Sequence, residues 1–338
     1  MDRLRIGIVG VGALGRIHVG AYGESAAVGR LVICDPDEKR LAEVQAAYPV
    51  VARGYSSLEA MLEAERLDAV SIITPDHLHR PQSVQCFQAG CHVLLAKPLA
   101  TSLEDGRAIV RAAEAAGRIL MVAHERRFRP STIAIRRLLE EGRLGEIIHL
   151  RIDSIQDKRT QFLKSPWYAS AEAGRTALVG SGIHEVDRLR FLIGRPIVSV
   201  AAFSNRLGTL AFPLAKTTSA IYQFEGGAIG QVTISYEAHW PQGNHLDDSF
   251  RLIGTTGLIV GHQAAWDGHE GWEPLPREQN AVAEGSRGCV AAFLKTLVEG
   301  APVAVTGRDA FASLAAAVAA DESAATGQKT APAPADFM

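Results

Sequence analysis

Short apolar runs alternate with helix-like segments over the first third of the chain. Five runs have the length and continuity of strands buried on both faces: residues 4–10, 31–35, 68–74, 92–96 and 119–123. Helical spacing follows the first run and recurs in three further segments: residues 36–48, 81–90 and 102–117. This alternation predicts an α/β domain built on a doubly wound parallel sheet.

The second part of the chain has a different pattern. Several runs alternate apolar and polar residues, as in strands of an antiparallel sheet with one packed face: residues 146–155, 197–205, 217–224, 228–238 and 249–257. Helical segments accompany them at residues 131–142, 182–194, 288–300 and 308–327. The change predicts two domains, residues 1–123 and 124–338, which suits a chain of 338 residues.

Composition and charge exclude several classes of protein. Hydrophobic residues make up 47% and charged residues 21%, as in globular proteins, and the net charge of -2 gives no basic field for nucleic acid. No apolar run approaches the roughly 20 residues that span a bilayer, and residues 1–10 lack the apolar core of a signal peptide. The four cysteines form no CxxC pair. We therefore expect a cytoplasmic protein with reduced thiols and no membrane partner.

The first apolar run ends in the pattern Gly10-Val-Gly12-Ala-Leu-Gly15, and a helical segment follows. The pattern alone is weak, but strand, glycines and helix in this order are the context in which it binds a dinucleotide. Gly10 permits the tight turn, Gly12 lets a pyrophosphate approach the backbone, and Gly15 lets helix and strand pack closely. Ala13 and Leu14 open the helix, whose N-terminal amides favour an anion. The alternative is a glycine turn that binds no nucleotide.

An acidic residue, Asp35, ends the second predicted strand. A carboxylate at this place accepts hydrogen bonds from the adenosine ribose and repels a 2′-phosphate. No arginine immediately follows Asp35, so NAD is favoured over NADP. The competing interpretation is that Asp35 only caps the next helix.

A lysine stands at the end of another predicted strand, in Ala96-Lys97-Pro98. The carboxyl ends of parallel strands share one edge of the sheet, so Lys97 and the strand end Thr74-Pro75 face the same rim as the glycine turn. A partly desolvated lysine beside a positive nicotinamide has a lowered pKa, which suits proton exchange with a substrate hydroxyl. The alternative is a surface lysine whose ammonium reaches water.

Several motifs together resemble the Gfo/Idh/MocA oxidoreductases. They stand in the family's order: GIVGVGALGRIHVGAY, ITPDHLH, GCHVLLAKPLATS, HERRFRP, GSGIHEVDRLRFLIG and ADESAATGQ. The resemblance implies a Rossmann domain followed by an α/β domain with an open, mostly antiparallel sheet. It also implies NAD(P)-dependent hydride transfer on a sugar, cyclitol or polyol-like alcohol or ketone. Members are commonly homodimers or homotetramers joined through the open sheet.

The resemblance also assigns roles near the cofactor. Lys97 matches the lysine of the family's Glu-Lys-Pro, which contacts both nicotinamide and the reacting hydroxyl. Thr74, Pro75 and His79 match the segment that lines the cofactor. Ala96 departs from the family's glutamate and puts the tuning of the lysine in doubt.

A second motif, GSGIHEVD, resembles the family's Asp-x-Gly-x-His-x-x-Asp. His184 matches the catalytic histidine and Asp187 a structural acid, which we expect to brace the domain junction. Gly180 stands where many members have a catalytic aspartate, and we expect the vacated space to admit water or a bulkier substrate. The segment HEVDR is not HExxH, so we expect no catalytic metal.

Four further residues are candidates for substrate contact. Arg127 follows a strand end, two aromatic residues precede the His184 helix, and a tyrosine ends a sheet strand; the candidates are Arg127, Trp167, Tyr168 and Tyr236. Simple packing or surface pairing is the alternative for each.

Three functions remain open from the sequence. The first is a dehydrogenase in which Lys97 and His184 move the hydroxyl proton. The second is a dinucleotide-binding sensor or assembly subunit without turnover, which Ala96 and Gly180 favour. The third is NAD-assisted glycoside cleavage through transient oxidation.

Overall fold

The structure is a computed structural model that describes residues 3–170, 174–239 and 249–334. The N-terminal part contains six strands: β1 (Leu4–Val9), β2 (Val28–Cys34), β3 (Val51–Tyr55), β4 (Ala69–Ile72), β5 (His92–Ala96) and β6 (Leu120–Ala123). Five helices connect them: α1 (Ala13–Gly23), α2 (Glu38–Ala47), α3 (Leu58–Ala64), α4 (His79–Gln88) and α5 (Leu103–Ala115). The strands pair in parallel in the order β3-β2-β1-β4-β5-β6.

This strand order is that of the doubly wound Rossmann fold, so the predicted fold class of the first domain is confirmed. The order reverses between β1 and β4, and ligands of such sheets bind beyond the carboxyl ends of the strands at that point. The segments after β1, β4 and β5 therefore share one rim. These segments carry the glycine turn, Thr74 and Lys97.

The remaining elements build a second sheet with flanking helices. Its strands are β7 (Ile147–Ile155), β8 (Ile197–Asn205), β9 (Thr217–Phe224), β10 (Ile229–Ser235), β11 (Phe250–Gly254), β12 (Gly257–Val260), β13 (Gln263–Trp266) and β14 (Glu273–Pro274). The helices are α6 (Pro130–Glu140), α7 (Arg159–Lys164), α8 (Ile183–Ile193), α9 (Ala281–Glu299) and α10 (Gly307–Thr326). The order is β14-β13-β12-β11-β7-β10-β9-β8, and only the β7–β10 pair is parallel among these strands. The mostly antiparallel sheet is confirmed.

The two faces of this second sheet differ in burial. Residues such as Val200, Tyr222 and Val232 are fully buried on the face covered by α8 and α10. The other face leaves apolar side chains exposed: Ile148, Phe203, Ile221, Ile229 and Ile253. This alternation has the period of two that the sequence shows. No helix among the described residues is long and apolar enough to cross a membrane.

Helix α9 returns to the first domain. Its residues Cys289, Val290 and Phe293 are buried in one core with Ile6 and Ile8 of β1. The predicted boundary between residues 123 and 124 therefore assigns α9 to the second domain, although α9 packs in the core of the first. The two domains stay a prediction, with α9 packed against the first.

Candidate active site

The glycine turn after β1 has the shape that a dinucleotide needs. Gly10 has φ +87°, which favours glycine, and a Cβ on Gly15 would lie 2.0 Å from the Gly10 carbonyl oxygen. A Cβ on Gly12 would meet nothing within 4 Å. No side chain caps the N-terminus of α1 at Gly12. The turn thus offers open space beside uncapped helix amides, and these residues fit a pyrophosphate.

Asp35 lies beside this turn and is buried. Its Oδ2 accepts a hydrogen bond from Val11 N at 3.0 Å and its Oδ1 one from Asp37 N at 3.0 Å. Arg40 Nη1 also donates to both carboxylate oxygens, at 2.9 and 3.1 Å. Arg40 was not predicted, because only the residue directly after Asp35 was considered as a possible arginine partner of a 2′-phosphate. One turn of α2 brings the guanidinium back over the carboxylate.

The segment after β4 lies on the same rim. Thr74 and Pro75 are half-buried, and Thr74 Oγ1 donates to Gln82 Oε1 at 2.6 Å. His79 is fully buried, with Nδ1 at 2.9 Å from the Pro98 carbonyl oxygen and Nε2 at 3.2 Å from that of Thr74. Burial lowers the pKa of His79, so the neutral ring donates from one nitrogen only. In this structure His79 braces the two strand ends, and its contact with the cofactor stays a prediction.

Lys97 is half-buried at the end of β5, next to a cis peptide bond with Pro98. Its Nζ donates a hydrogen bond to the Gly180 carbonyl oxygen at 3.2 Å. Burial lowers the pKa of Lys97, and Arg175 adds to the effect, while Asp76 and Glu125 oppose it. These two carboxylates partly replace the charge that Ala96 lacks. A lysine with a lowered pKa is suited to proton transfer near neutral pH.

A π-helical turn, Leu178–Gly182, leads into α8 and brings His184 to the cleft. Such turns widen a helix and are frequent at functional sites. His184 Nδ1 lies 3.1 Å from Glu125 Oε2, although the angle is not that of a hydrogen bond. Burial holds the pKa of His184 well below its usual value, and the charge on Lys97 lowers it further. The imidazole is therefore neutral at physiological pH and can accept a hydrogen bond. Glu125 was not singled out, although it stands two residues after the end of β6.

The space beside Gly180 is not vacant, which corrects the expectation of room for water or a bulkier substrate. A Cβ at Gly180 would lie 2.9 Å from Arg175 Nε and 3.1 Å from Tyr236 Oη. Arg175 is buried and pairs with Asp76. A cation thus stands where many relatives carry an acid. No sequence signal marks Arg175, because it lies in the loop just before the π-helical turn and belongs to no helix or strand whose pattern could indicate it.

The three aromatic candidates form one wall around Arg175. Its guanidinium carbon lies 5.0 Å from the Trp167 ring centroid and 4.3 Å from that of Tyr168. Tyr236 is buried, and its hydroxyl donates to Ser181 Oγ at 2.9 Å. Burial raises the pKa of Tyr236 to about 12, so the hydroxyl stays protonated. The structure brings these residues together at the cleft, and their contact with substrate stays a prediction.

Arg127, a candidate for substrate contact, is paired with acidic residues at the domain junction. Its Nε and Nη2 donate to the two Asp187 carboxylate oxygens at 2.8 and 2.6 Å, and Nη2 also contacts Asp309 at 2.5 Å. The guanidinium packs over the Phe191 ring at 4.9 Å. We therefore withdraw Arg127 as a substrate ligand, because its Nε and Nη2 donors are engaged by the buried Asp187 and the half-buried Asp309. Asp187 joins α8 to α10 and to the segment after β6, as a brace would.

Lys158, just before α7, is a cleft residue that the sequence analysis missed. Its Nζ donates to Gln161 Oε1 at 2.5 Å and lies 5.6 Å from the Tyr236 ring centroid. Burial lowers the pKa of Lys158 to about 7, and the charges of Lys97 and Arg175 act in the same direction. Only the folded chain brings it near Lys97, since nothing in its neighbourhood in the sequence indicates a site.

The fold and this rim define an oxidoreductase with an NAD-binding Rossmann domain. A family model described as "Oxidoreductase family, NAD-binding Rossmann fold" matches residues 4–124, and a GFO/IDH/MocA C-terminal domain matches residues 132–260. The chain belongs to the Gfo/Idh/MocA family, which confirms the resemblance read from its motifs.

Individual relatives cover nearly the whole chain. Inositol 2-dehydrogenase 2 of Saccharopolyspora erythraea is 31% identical over 97% of this chain and 95% of its own. An oxidoreductase from Agrobacterium radiobacter, solved with NAD+, L-tartaric acid and magnesium, is 25% identical, covers 98% of both chains and has a TM-score of 0.87. The WlbA dehydrogenase from Bordetella pertussis, solved with NADH and UDP-GlcNAcA, is 26% identical, covers 99% of both chains and has a TM-score of 0.85.

Proposed function

We propose that this protein is an NAD-dependent dehydrogenase that oxidises a secondary alcohol on a sugar, cyclitol or related polyol, or reduces the corresponding ketone. The observation that carries the proposal is Lys97, held at the rim by the Gly180 carbonyl beside the neutral His184. Relatives that match nearly the whole chain bear the names of such enzymes, among them inositol 2-dehydrogenase.

In the proposed reaction, some residues of this chain bind the cofactor and others handle the proton of the substrate hydroxyl. The glycine turn would hold the pyrophosphate, and Asp35 would orient the adenosine ribose. A bound NAD+ would supply the acceptor for the hydride of the carbinol carbon. The neutral amine of Lys97 accepts the hydroxyl proton as the C=O bond forms, so charge and atoms balance. His184 accepts a hydrogen bond from the same hydroxyl or takes the proton onward, with Glu125 beside it.

We also propose that the protein forms homo-oligomers through the open face of the second sheet. This face leaves Phe203 83% exposed and Ile221 52% exposed, and exposed apolar patches mark interfaces. Replacing either residue by glutamate should reduce the molar mass measured by light scattering. We further propose a cytoplasmic location, which the four free, buried cysteines support.

Steady-state turnover tests the proposed function. NADH formation should be followed with NAD+ and a panel of sugars, cyclitols and sugar acids, with coenzyme binding measured in parallel. NADH formed in proportion to substrate supports a dehydrogenase. Coenzyme binding without any turnover would favour the sensor, and aglycone release without net NADH would favour glycoside cleavage.

A further inference from the structure

The cleft holds more buried positive charge than its own acids compensate. Arg175 pairs with Asp76, Arg126 pairs with Glu185, and Arg129 lies 3.8 Å from Glu125. Lys97 and Lys158 have no carboxylate oxygen within 4.0 Å among residues 3–170, 174–239 and 249–334. Each ammonium instead donates to a neutral oxygen, of Gly180 and of Gln161. Two close ammonium groups without an acid are costly in a site with little water.

Arg175 adds an unused donor at the same place. Its side chain is only 2% exposed, and Nη2 is buried with no hydrogen-bond partner in the described part of the chain. Nη1 holds Asp76, and the ring faces of Trp167 and Tyr168 cover the guanidinium. A buried N–H group without an acceptor is rare in a folded protein, so a ligand oxygen is the expected partner.

The same features point to the sign of the ligand's charge. Gly180 contributes no side-chain charge, and Arg175 fills the space beside it. Oxidised nicotinamide brings one more positive charge to this end of the cleft. A neutral polyol would leave the charges of Lys158 and of the oxidised nicotinamide without a carboxylate partner, whereas an anionic group on the substrate would pair with them.

On the basis of the proposed dehydrogenase function, we propose that the substrate is a sugar acid or related hydroxy acid, whose carboxylate binds between Lys158 and Arg175 while Lys97 handles the proton of the neighbouring hydroxyl. A single negative charge fits better than a phosphate dianion. The charge of Arg175 is already balanced by Asp76, and Lys97 must release its own proton to act as a base. Lys158 therefore supplies the one remaining positive charge, and Arg175 supplies the directed N–H donor.

Equilibrium binding tests this without relying on turnover. The NADH-loaded protein, which cannot oxidise an alcohol, is titrated by calorimetry with matched pairs: galacturonate and galactose, glucuronate and glucose, gluconate and glucitol, tartrate and erythritol. Glucose 6-phosphate is titrated as well, to compare a phosphate with the carboxylates. At least one acid should bind about 10- to 100-fold more tightly than its neutral partner, the range for a hydrogen bond to a charged group. Equal or weaker binding of every acid, tighter binding of the phosphate than of every acid, or no binding of any acid would overturn the inference.

A matched pair of lysine variants locates the charge. Lys158→Met should weaken binding of the preferred acid about 10-fold or more and leave its neutral partner unchanged. Lys164→Met removes an exposed lysine from the short helix α7, which directly follows Lys158, and should change neither. A structural role for Lys158 would weaken both ligands alike, and that result would also overturn the proposal. Turnover of neutral polyols with no preference for acids would leave the dehydrogenase standing and remove only this inference.

The pH dependence of acid binding provides an independent readout. Burial lowers the pKa of Lys158 to about 7, with Lys97, Arg175 and Arg126 adding to the effect and the Tyr236 ring packed beside it. A positive charge with a lowered pKa is lost as pH rises, so the dissociation constant of the acid should increase above about pH 7. In Lys158→Met this increase should disappear, and its persistence would count against the assignment.

Discussion

The junction between the two domains permits a direct test of Asp187 as a structural acid. Its two oxygens accept hydrogen bonds from Arg127 at 2.8 and 2.6 Å, and Oδ1 also accepts one from Ser313 Oγ at 3.0 Å. Asp187 and Arg127 are both buried, so Asp187→Asn leaves a buried guanidinium facing an amide. Breaking a buried pair in this way destabilises a protein by about 3–5 kcal/mol. Asp267→Asn, which changes an exposed aspartate, is the matched control.

The same pair predicts how the effect depends on pH. Burial alone would raise the pKa of Asp187, but its neighbours outweigh it and lower the pKa from 3.8 to about 2. The nearby charges of His124 and Arg127 lower it, and the hydrogen bonds from Arg127 act in the same direction. A carboxylate with a lowered pKa contributes stability that is present above its unfolded pKa and is lost as pH falls toward the folded value. The difference between wild type and Asp187→Asn should be constant near neutral pH and shrink between about pH 4 and pH 2.

Urea unfolding followed by tryptophan fluorescence gives the measurement, with the slope of each transition compared to check that the states are the same. The account predicts a large loss of unfolding free energy for Asp187→Asn and none for Asp267→Asn. A loss below about 1 kcal/mol would refute the reasoning, since a surface pair is worth no more than that.

Three further predictions concern the cofactor and the cleft. Asp35→Ala should narrow the preference for NADH over NADPH in fluorescence titrations. Arg40→Ala should widen this preference, because Arg40 contacts the carboxylate that repels a 2′-phosphate. Tighter binding of NADPH than of NADH by the unmodified protein would contradict the role of Asp35. Gly180→Asp places a carboxylate against Arg175 and should raise the KM of an acidic substrate about 10-fold, whereas a gain in turnover would mean that the site merely lacks an acid. His184→Ala should lower kcat about 10-fold with unchanged NADH binding, and an unaltered kcat would remove it from proton transfer.

Local pattern was sufficient for most of the fold. Continuous apolar runs marked β1, β2, β4, β5 and β6, and alternation marked β7 to β11 of the second sheet, whereas β13 and β14 were not predicted. It missed β3, whose sequence VARGY holds an arginine and a glycine, because an edge strand needs no continuous apolar run. It also missed the return of α9 to the first domain. The apolar face of a helix indicates that the helix packs against the protein, but it does not indicate which domain the helix packs against.

The site was predictable only where residues follow strand ends or match a family motif. The glycine turn, Asp35, Lys97 and His184 were found in that way, and the structure brings their segments to one rim. Arg175 and Lys158 could not be found, because each reaches the cleft from a segment distant in the chain and carries no local signature. Their positions depend on packing around Tyr236, which is long-range.

The central claim is that Lys97 transfers the proton during alcohol oxidation, and the pH profile of Lys97→Met tests it most directly. The unmodified enzyme should show kcat/KM rising with pH to a plateau below the usual lysine range, because burial lowers the pKa of Lys97. Lys97→Met should lose that ionisation and about 10²–10⁴-fold in kcat, while NADH titrations remain unchanged. Near-full activity with the same pH profile would contradict the account and make the lysine structural.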